Sequence, residues 1–160
     1  MINEQELMQS IDNFLSENKE AMLADLKTLI GQPSVRGEAA PGAPYGTDVN
    51  AALEKALAIA RRMGLETENC AGNIGWADLP GKSKKQIATI THLDVVPAGN
   101  GWTSDPFEMI VKDGCVIGRG TLDDKGPAVL TLYIAKFFKE RGEQLPYTLR
   151  LLFGTDEETG

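Results

Sequence analysis

The sequence predicts an α/β sandwich around a mixed, mainly parallel sheet, and three observations predict it. Stretches with apolar residues at helical spacing alternate with short apolar runs of strand length. Two of those runs, 86–91 and 147–153, are apolar enough for strands covered on both faces. Each run is followed by a polar cluster, and open α/β sheets bind ligands just beyond the carboxyl ends of their strands.

Taken in order, Leu7, Ile11, Phe14 and Leu15 recur at helical spacing, as do Met22, Leu23, Leu26, Leu29 and Ile30. They read as one broken helix or two, stopped by Gly31 with Pro33 just beyond. Residues 32–46, rich in glycine, proline and small side chains, read as loop. Thr47 or Asp48 is placed to cap a helix over 50–63, with Leu53, Leu57 and Ala60 inward and Gly64 as its stop. Runs 65–70 and 74–79 read as strands joined by Ala71-Gly72-Asn73, and a basic turn at 81–85 leads into the strand at 86–91. A loop over 93–107 is long enough to suggest function. Residues 109–111 and 115–117 form a predicted hairpin over Asp113-Gly114. Val129, Leu130, Leu132, Tyr133, Ile134, Phe137 and Phe138 mark a largely buried helix, with Pro127 in its first turn and Gly142 as its end.

With 160 residues there is room for one domain with a real core. A net charge of −7 argues against binding a phosphate backbone, which needs clustered Lys and Arg. The two cysteines, Cys70 and Cys115, stand at no metal-like spacing and are expected to stay reduced as small apolar residues. The N-terminus has no basic region followed by an apolar core, and no apolar run approaches the roughly 20 residues that span a membrane. A cytoplasmic protein, with no nucleic-acid or membrane partner, is the expectation.

The chemistry concentrates in three clusters. The stretch G-R-G-T-L-D-D-K-G-P at 118–127 puts Asp123 and Asp124 on a glycine-loosened turn at the start of a helix. His92-Leu93-Asp94 closes one strand, and Asp156-Glu157-Glu158 closes another. An isolated histidine is more often structural, and paired acids are about as often a helix cap or a fraying acidic end as a site. Their joint position at strand and helix termini, on one predicted rim, favours a metal site. In His-x-Asp along an extended segment the two side chains point the same way, so Asp94 is placed to accept the second ring N–H of His92. Adjacent glutamates point apart, so one can hold a cation while its neighbour takes a proton from water. Phosphate-loop chemistry fails on spacing. Gly81-Lys82-Ser83 lacks the required upstream glycine, since Trp76 stands there, and a strand rather than a helix follows it. Gly118-x-Gly120 lacks the third glycine of a dinucleotide fingerprint. A non-catalytic binding domain, its acids merely solvated, is the rival from another class.

These residues resemble a known family. His92-x-Asp94-Val-Val-Pro, Gly-Arg-Gly-x-x-Asp123-x-Lys-Gly and Asp-Glu157-Glu158-x-Gly are similar to the di-metal zinc exopeptidases grouped with aminoacylase, carboxypeptidase G and the ArgE/DapE deacylases. Trp102-x-x-Asp-Pro-Phe107 resembles the loop after the histidine in those enzymes, and the 118–127 and 154–160 strings look closest to PepV-type bacterial dipeptidases. The resemblance implies a three-layer catalytic domain and hydrolysis of the peptide bond of dipeptides or short peptides. An N-acyl amino acid deacylase or aminotripeptidase is the alternative within the family. It implies two zinc ions, with manganese or cobalt as substitutes, and a small peptide substrate. His92 would bind one ion, Asp123 would bridge both, and Glu158 would bind the second. Glu157 would be the general base and Asp94 would orient His92. A cis peptide at Asp123-Asp124 is implied as well. Family members carry a further acidic ligand, a second histidine and a lid domain downstream. Residues 1–160 are therefore expected to be the N-terminal part of the catalytic domain, inactive by itself.

Overall fold

The computed structural model describes residues 3–159; Met1, Ile2 and Gly160, which closes the last motif, lie outside the described residues. The first element is one unbroken helix, α1 (Glu4–Ile30), where one broken helix or two were expected. Leu15 and Met22 are seven residues apart, so the apolar stripe keeps its register across the polar stretch between them. Asn3 caps it through a reciprocal pair: its side chain accepts the Glu6 N–H at 2.9 Å while Glu6 accepts the Asn3 N–H at 3.2 Å. Helix α2 (Thr47–Arg62) starts earlier than expected and has Gly46 at its N-cap, with no side-chain cap. Thr47 and Asp48 are therefore inside the helix. Gly46 has φ +105°, and a Cβ there would lie 2.9 Å from the Gly37 nitrogen, so this tight loop closure selects glycine.

Strands β1 (Glu66–Cys70), β2 (Ile74–Leu79), β3 (Gln86–His92) and β6 (Thr148–Gly154) form one sheet in the order β1-β2-β6-β3. The short hairpin β4 (Ile110–Lys112) and β5 (Cys115–Ile117) stands apart, turned by Asp113 and Gly114, both at positive φ. Helix α3 (Lys125–Glu140) crosses from β3 back to β6. The sheet is mixed, as expected, but its balance is not mainly parallel. Among the described residues only β3 and β6, joined through α3, run parallel; β1/β2 and β2/β6 are antiparallel. The three-residue turn 71–73 can only make an antiparallel hairpin, whereas a parallel pair needs a crossover as long as α3.

The core lies on one face of this sheet. Ala77, Leu149, Leu151 and Phe153 meet Leu53, Ala56, Leu57 and Ala60 of α2 and Ala128, Leu132 and Ala135 of α3. Helix α1 packs on the same assembly through Leu29, with Phe14 edge-on to Phe137 at 5.3 Å. Burial along β6 alternates at every residue, which is the pattern of a sheet covered on one side. The other face carries the Trp76–Leu152–Ile90 row and the Asp78–Arg150 pair. Arg150 donates to both Asp78 oxygens at 2.8 and 2.7 Å and lies 4.4 Å over the Trp76 ring. Among the described residues the helices cover one face of the sheet, so these residues form two layers of the expected three-layer domain. Strand β3 is covered on one side only, with Ile90 77% exposed. Likewise α3 is half-covered, since Leu130 and Ile134 remain exposed.

Candidate metal centre

The parallel pair β3/β6 sets the site. Its register matches His92 with Gly154, so both strands end level with each other. His92 is the last residue of β3, and Asp156, Glu157 and Glu158 follow β6 by two to four residues. A helix crossing between parallel strands begins at their carboxyl ends, which brings Asp123 and Asp124 to the same rim. One ligand atom each from His92, Asp123 and Glu158 lie within 4.8 Å of one another. The Glu157 carboxylate comes to 3.9 Å from His92 Nε2 and is mostly exposed.

His92 itself is buried, and both its ring nitrogens face oxygen. Nε2 is 2.9 Å from Asp123 Oδ1, and Nδ1 is 3.1 Å from the Asp94 carbonyl. The expected side-chain bond from Asp94 is replaced by this backbone contact; Asp94 Oδ1 stands off at 3.4 Å. The reason is that the Asp94 carboxylate has a second duty. Its Oδ2 accepts the backbone N–H of Glu158 at 3.0 Å, while Oδ1 is buried without a hydrogen bond. Asp94 thus touches two of the three candidate ligands. Asp124 accepts the backbone N–H of His92 at 3.1 Å, a role that its position beside Asp123 did not reveal. The Asp123-Asp124 peptide bond is cis.

Glycines make the 118–127 turn possible. Gly120 has φ +88°, and a Cβ on Gly126 would sit 2.0 Å from the Thr121 carbonyl oxygen. At Gly126 no side chain fits without moving the backbone, and at Gly120 the positive φ is one that other residues rarely adopt. Lys125, wholly buried, runs from this turn to the end of α1 and donates to the Leu29 and Gln32 carbonyls at 2.9 and 2.7 Å. Burial, aided by Lys55, pushes its pKa down to about 7. Thr155 clips the acidic loop to the β1–β2 turn, its hydroxyl meeting the Gly72 and Asn73 carbonyls. Beside the ligands opens a cleft of about 550 Å³ lined by Tyr45, Asn73, Ile90, His92, Asp124 and Glu157.

Burial works against the charged form of His92, but the Asp123 hydrogen bond and the Asp94 charge outweigh it, so its pKa is raised. When protonated, the ring can donate to both oxygens at once. This gives a test: the ring, the single histidine of the chain, should titrate by NMR above the ordinary value of about 6.5. Asp123→Asn should bring the midpoint down. The sign follows for any cation using Nε2: proton and cation compete for one lone pair, so acidification below the raised pKa weakens binding of the cation. A midpoint at or below the ordinary value would contradict the geometry.

The donor set fits a divalent metal cation: one imidazole nitrogen whose partner nitrogen is already held, plus carboxylate oxygens within reach of it. The uncompensated buried oxygen of Asp94 adds negative charge behind the histidine.

Residues 88–160 match the family model described as Peptidase family M20/M25/M40. YtjP of Bacillus subtilis (strain 168), named as a provisional dipeptidase, is 38% identical over 146 residues, covering 88% of this chain and 31% of that protein. Human carnosine dipeptidase 1 superposes with a TM-score of 0.80 at 21% identity, over 95% of this chain and 35% of its own. The YXEP protein of Bacillus subtilis, described as a dinuclear metal-binding peptidase of the M20 family, superposes with a TM-score of 0.63 at 15% identity, over 92% of this chain and 37% of its own. At those identities the structural matches speak to the fold. The chain spans about a third of the length of the relatives it matches.

Proposed function

We propose that the chain, whose residues 88–160 match the peptidase M20 family model, belongs to a zinc-dependent dipeptidase acting on dipeptides or short peptides. One observation carries the reading: His92, Asp123 and Glu158 converge within 4.8 Å at a sheet rim, with Glu157 beside them. Residues 1–160 are then the N-terminal part of the catalytic domain, and the remaining ligands come from elsewhere in the protein.

On this reading His92, Asp123 and Glu158 would hold the cations. The cations, when bound, supply Lewis acidity that polarises the scissile carbonyl and brings the pKa of water toward about 7. The protein's own residues do the rest. Asp94 fixes the His92 ring from Nδ1 and steadies Glu158 through its backbone N–H. Asp124 fixes the backbone of His92. Glu157, exposed and next to the ligands, removes a proton from the attacking water and returns it to the leaving amine.

The test is hydrolysis of free dipeptides by the whole protein. Exhaustive chelation should abolish turnover, and added zinc, manganese or cobalt should restore it. Turnover that survives chelation would sink the proposal. Cleavage of N-acyl amino acids in preference to dipeptides would move the protein to the deacylase branch.

A further inference from the structure

Within the loop between α1 and α2, three alternate residues each reach a different one of the three ligand-bearing segments. The Gln32 carbonyl accepts from Lys125 at 2.7 Å, two residues after Asp123. Ser34, fully buried, donates its hydroxyl to the Leu93 carbonyl, and its own carbonyl accepts the Val95 N–H at 3.0 Å. These two bonds bracket Asp94, two residues from His92. Arg36 Nη1 donates to Asp156 Oδ1 at 2.6 Å and to Thr159 Oγ1 at 2.8 Å, on either side of Glu157 and Glu158. Its guanidinium lies 5.2 Å from the Tyr45 ring centroid.

We propose that segment 32–36 is a strap that holds the three ligand segments in register, with Arg36 the positioning residue for the acidic loop. This rests on the metal-site reading above. The physical need is plain. The ligands come from segments widely separated in sequence, and like-charged carboxylates repel one another until a cation arrives. Asp123, Asp124, Glu157 and Glu158 would spread apart unless their backbones were tied to something else. The strap ties all three to the end of α1, a 27-residue helix that packs on the core. Arg36 acts furthest from the helix end, on the loop with the most acids.

Arg36 also allows a test by sign. As a mere nearby positive charge it would repel a bound cation, so its removal would tighten metal binding. As a positioning residue, its removal loosens the loop and weakens binding. We would titrate the complete, metal-stripped protein with cobalt(II), following its visible absorption, for the wild type, Arg36→Met, Arg36→Lys and His92→Ala. The expected result is a loss of about tenfold or more in cobalt affinity for Arg36→Met, the scale typical of groups that orient metal ligands. Its cobalt spectrum should be altered while the unfolding midpoint of the metal-free protein stays put. Arg36→Lys should recover part of the affinity, since an ammonium can still reach Asp156. Wild-type or tighter binding by Arg36→Met overturns the strap. Binding that is absent from the wild type, or unchanged by His92→Ala, overturns the metal reading and the strap with it.

Discussion

Glu157→Gln is expected to keep the metal and lose at least about a hundredfold in turnover, the lower end of what a positioned general base contributes. Glutamine matches glutamate in shape, so the loop, the Arg36 tie to Asp156 and the Glu158 N–H bond to Asp94 should survive the change. What disappears is a basic oxygen 3.9 Å from His92 Nε2. A carboxylate can accept the proton of the attacking water and hand it on; a carboxamide cannot. A hundredfold corresponds to about 2.7 kcal/mol of barrier. That is more than this exposed side chain can contribute to folding, so the effect should fall on kcat while the unfolding midpoint stays put. KM should change little, because the proton moves only in the chemical step. The measurement is steady-state dipeptide hydrolysis by the whole protein beside metal content. Normal turnover in the variant would remove Glu157 from the mechanism, whereas loss of metal would mean that Glu157 is a ligand instead.

The readable and unreadable parts of this fold divide along a physical line. Periodicity is local, so the helices, the strand at 86–92 and the Asp113-Gly114 hairpin could be found from neighbouring residues alone. The three polar clusters could be found because each ends or begins such an element. Pairing is not local. Nothing in 74–79 says that its partner is β6, about seventy residues on, and so the parallel share of the sheet was overestimated. The exposure of Ile90 escaped for a related reason: an apolar run looks the same with one covered face or two. The strap was least visible. Gln32 works through its carbonyl and Ser34 partly so, and every residue offers a carbonyl. Arg36 stood in a stretch of small residues where only the folded chain shows what it reaches. Lys125 was noted as a letter in a motif, but a lysine buried against the end of a helix runs against the ordinary preference of that residue.

The largest loss of stability is expected from Phe153→Ala, about 3–5 kcal/mol for the deletion of a fully buried aromatic ring. Two features put it toward the upper end. Phe153 lies in β6, which is paired on both sides, to Gly75 of β2 and to Thr91 of β3, so the backbone cannot close over the void. Its neighbour Gly75 has no side chain with which to fill it, and the space above Gly75 is already taken by Leu53 and Leu57. Out of the 5–15 kcal/mol that typically hold a domain together, such a loss is a large part. It should appear as a lower urea midpoint with an unchanged slope, and Phe153→Leu should cost much less. The site should respond differently. The acidic loop beyond Phe153 is anchored independently by Thr155 on the β1–β2 turn, by the Leu93 N–H on the Gly154 carbonyl and by Arg36. Folded Phe153→Ala should therefore bind cobalt nearly as the wild type does, the reverse of Arg36→Met. A Phe153→Ala protein that unfolds within about 1 kcal/mol of wild type would mean that the sheet relaxes around the missing ring, contrary to its double pairing.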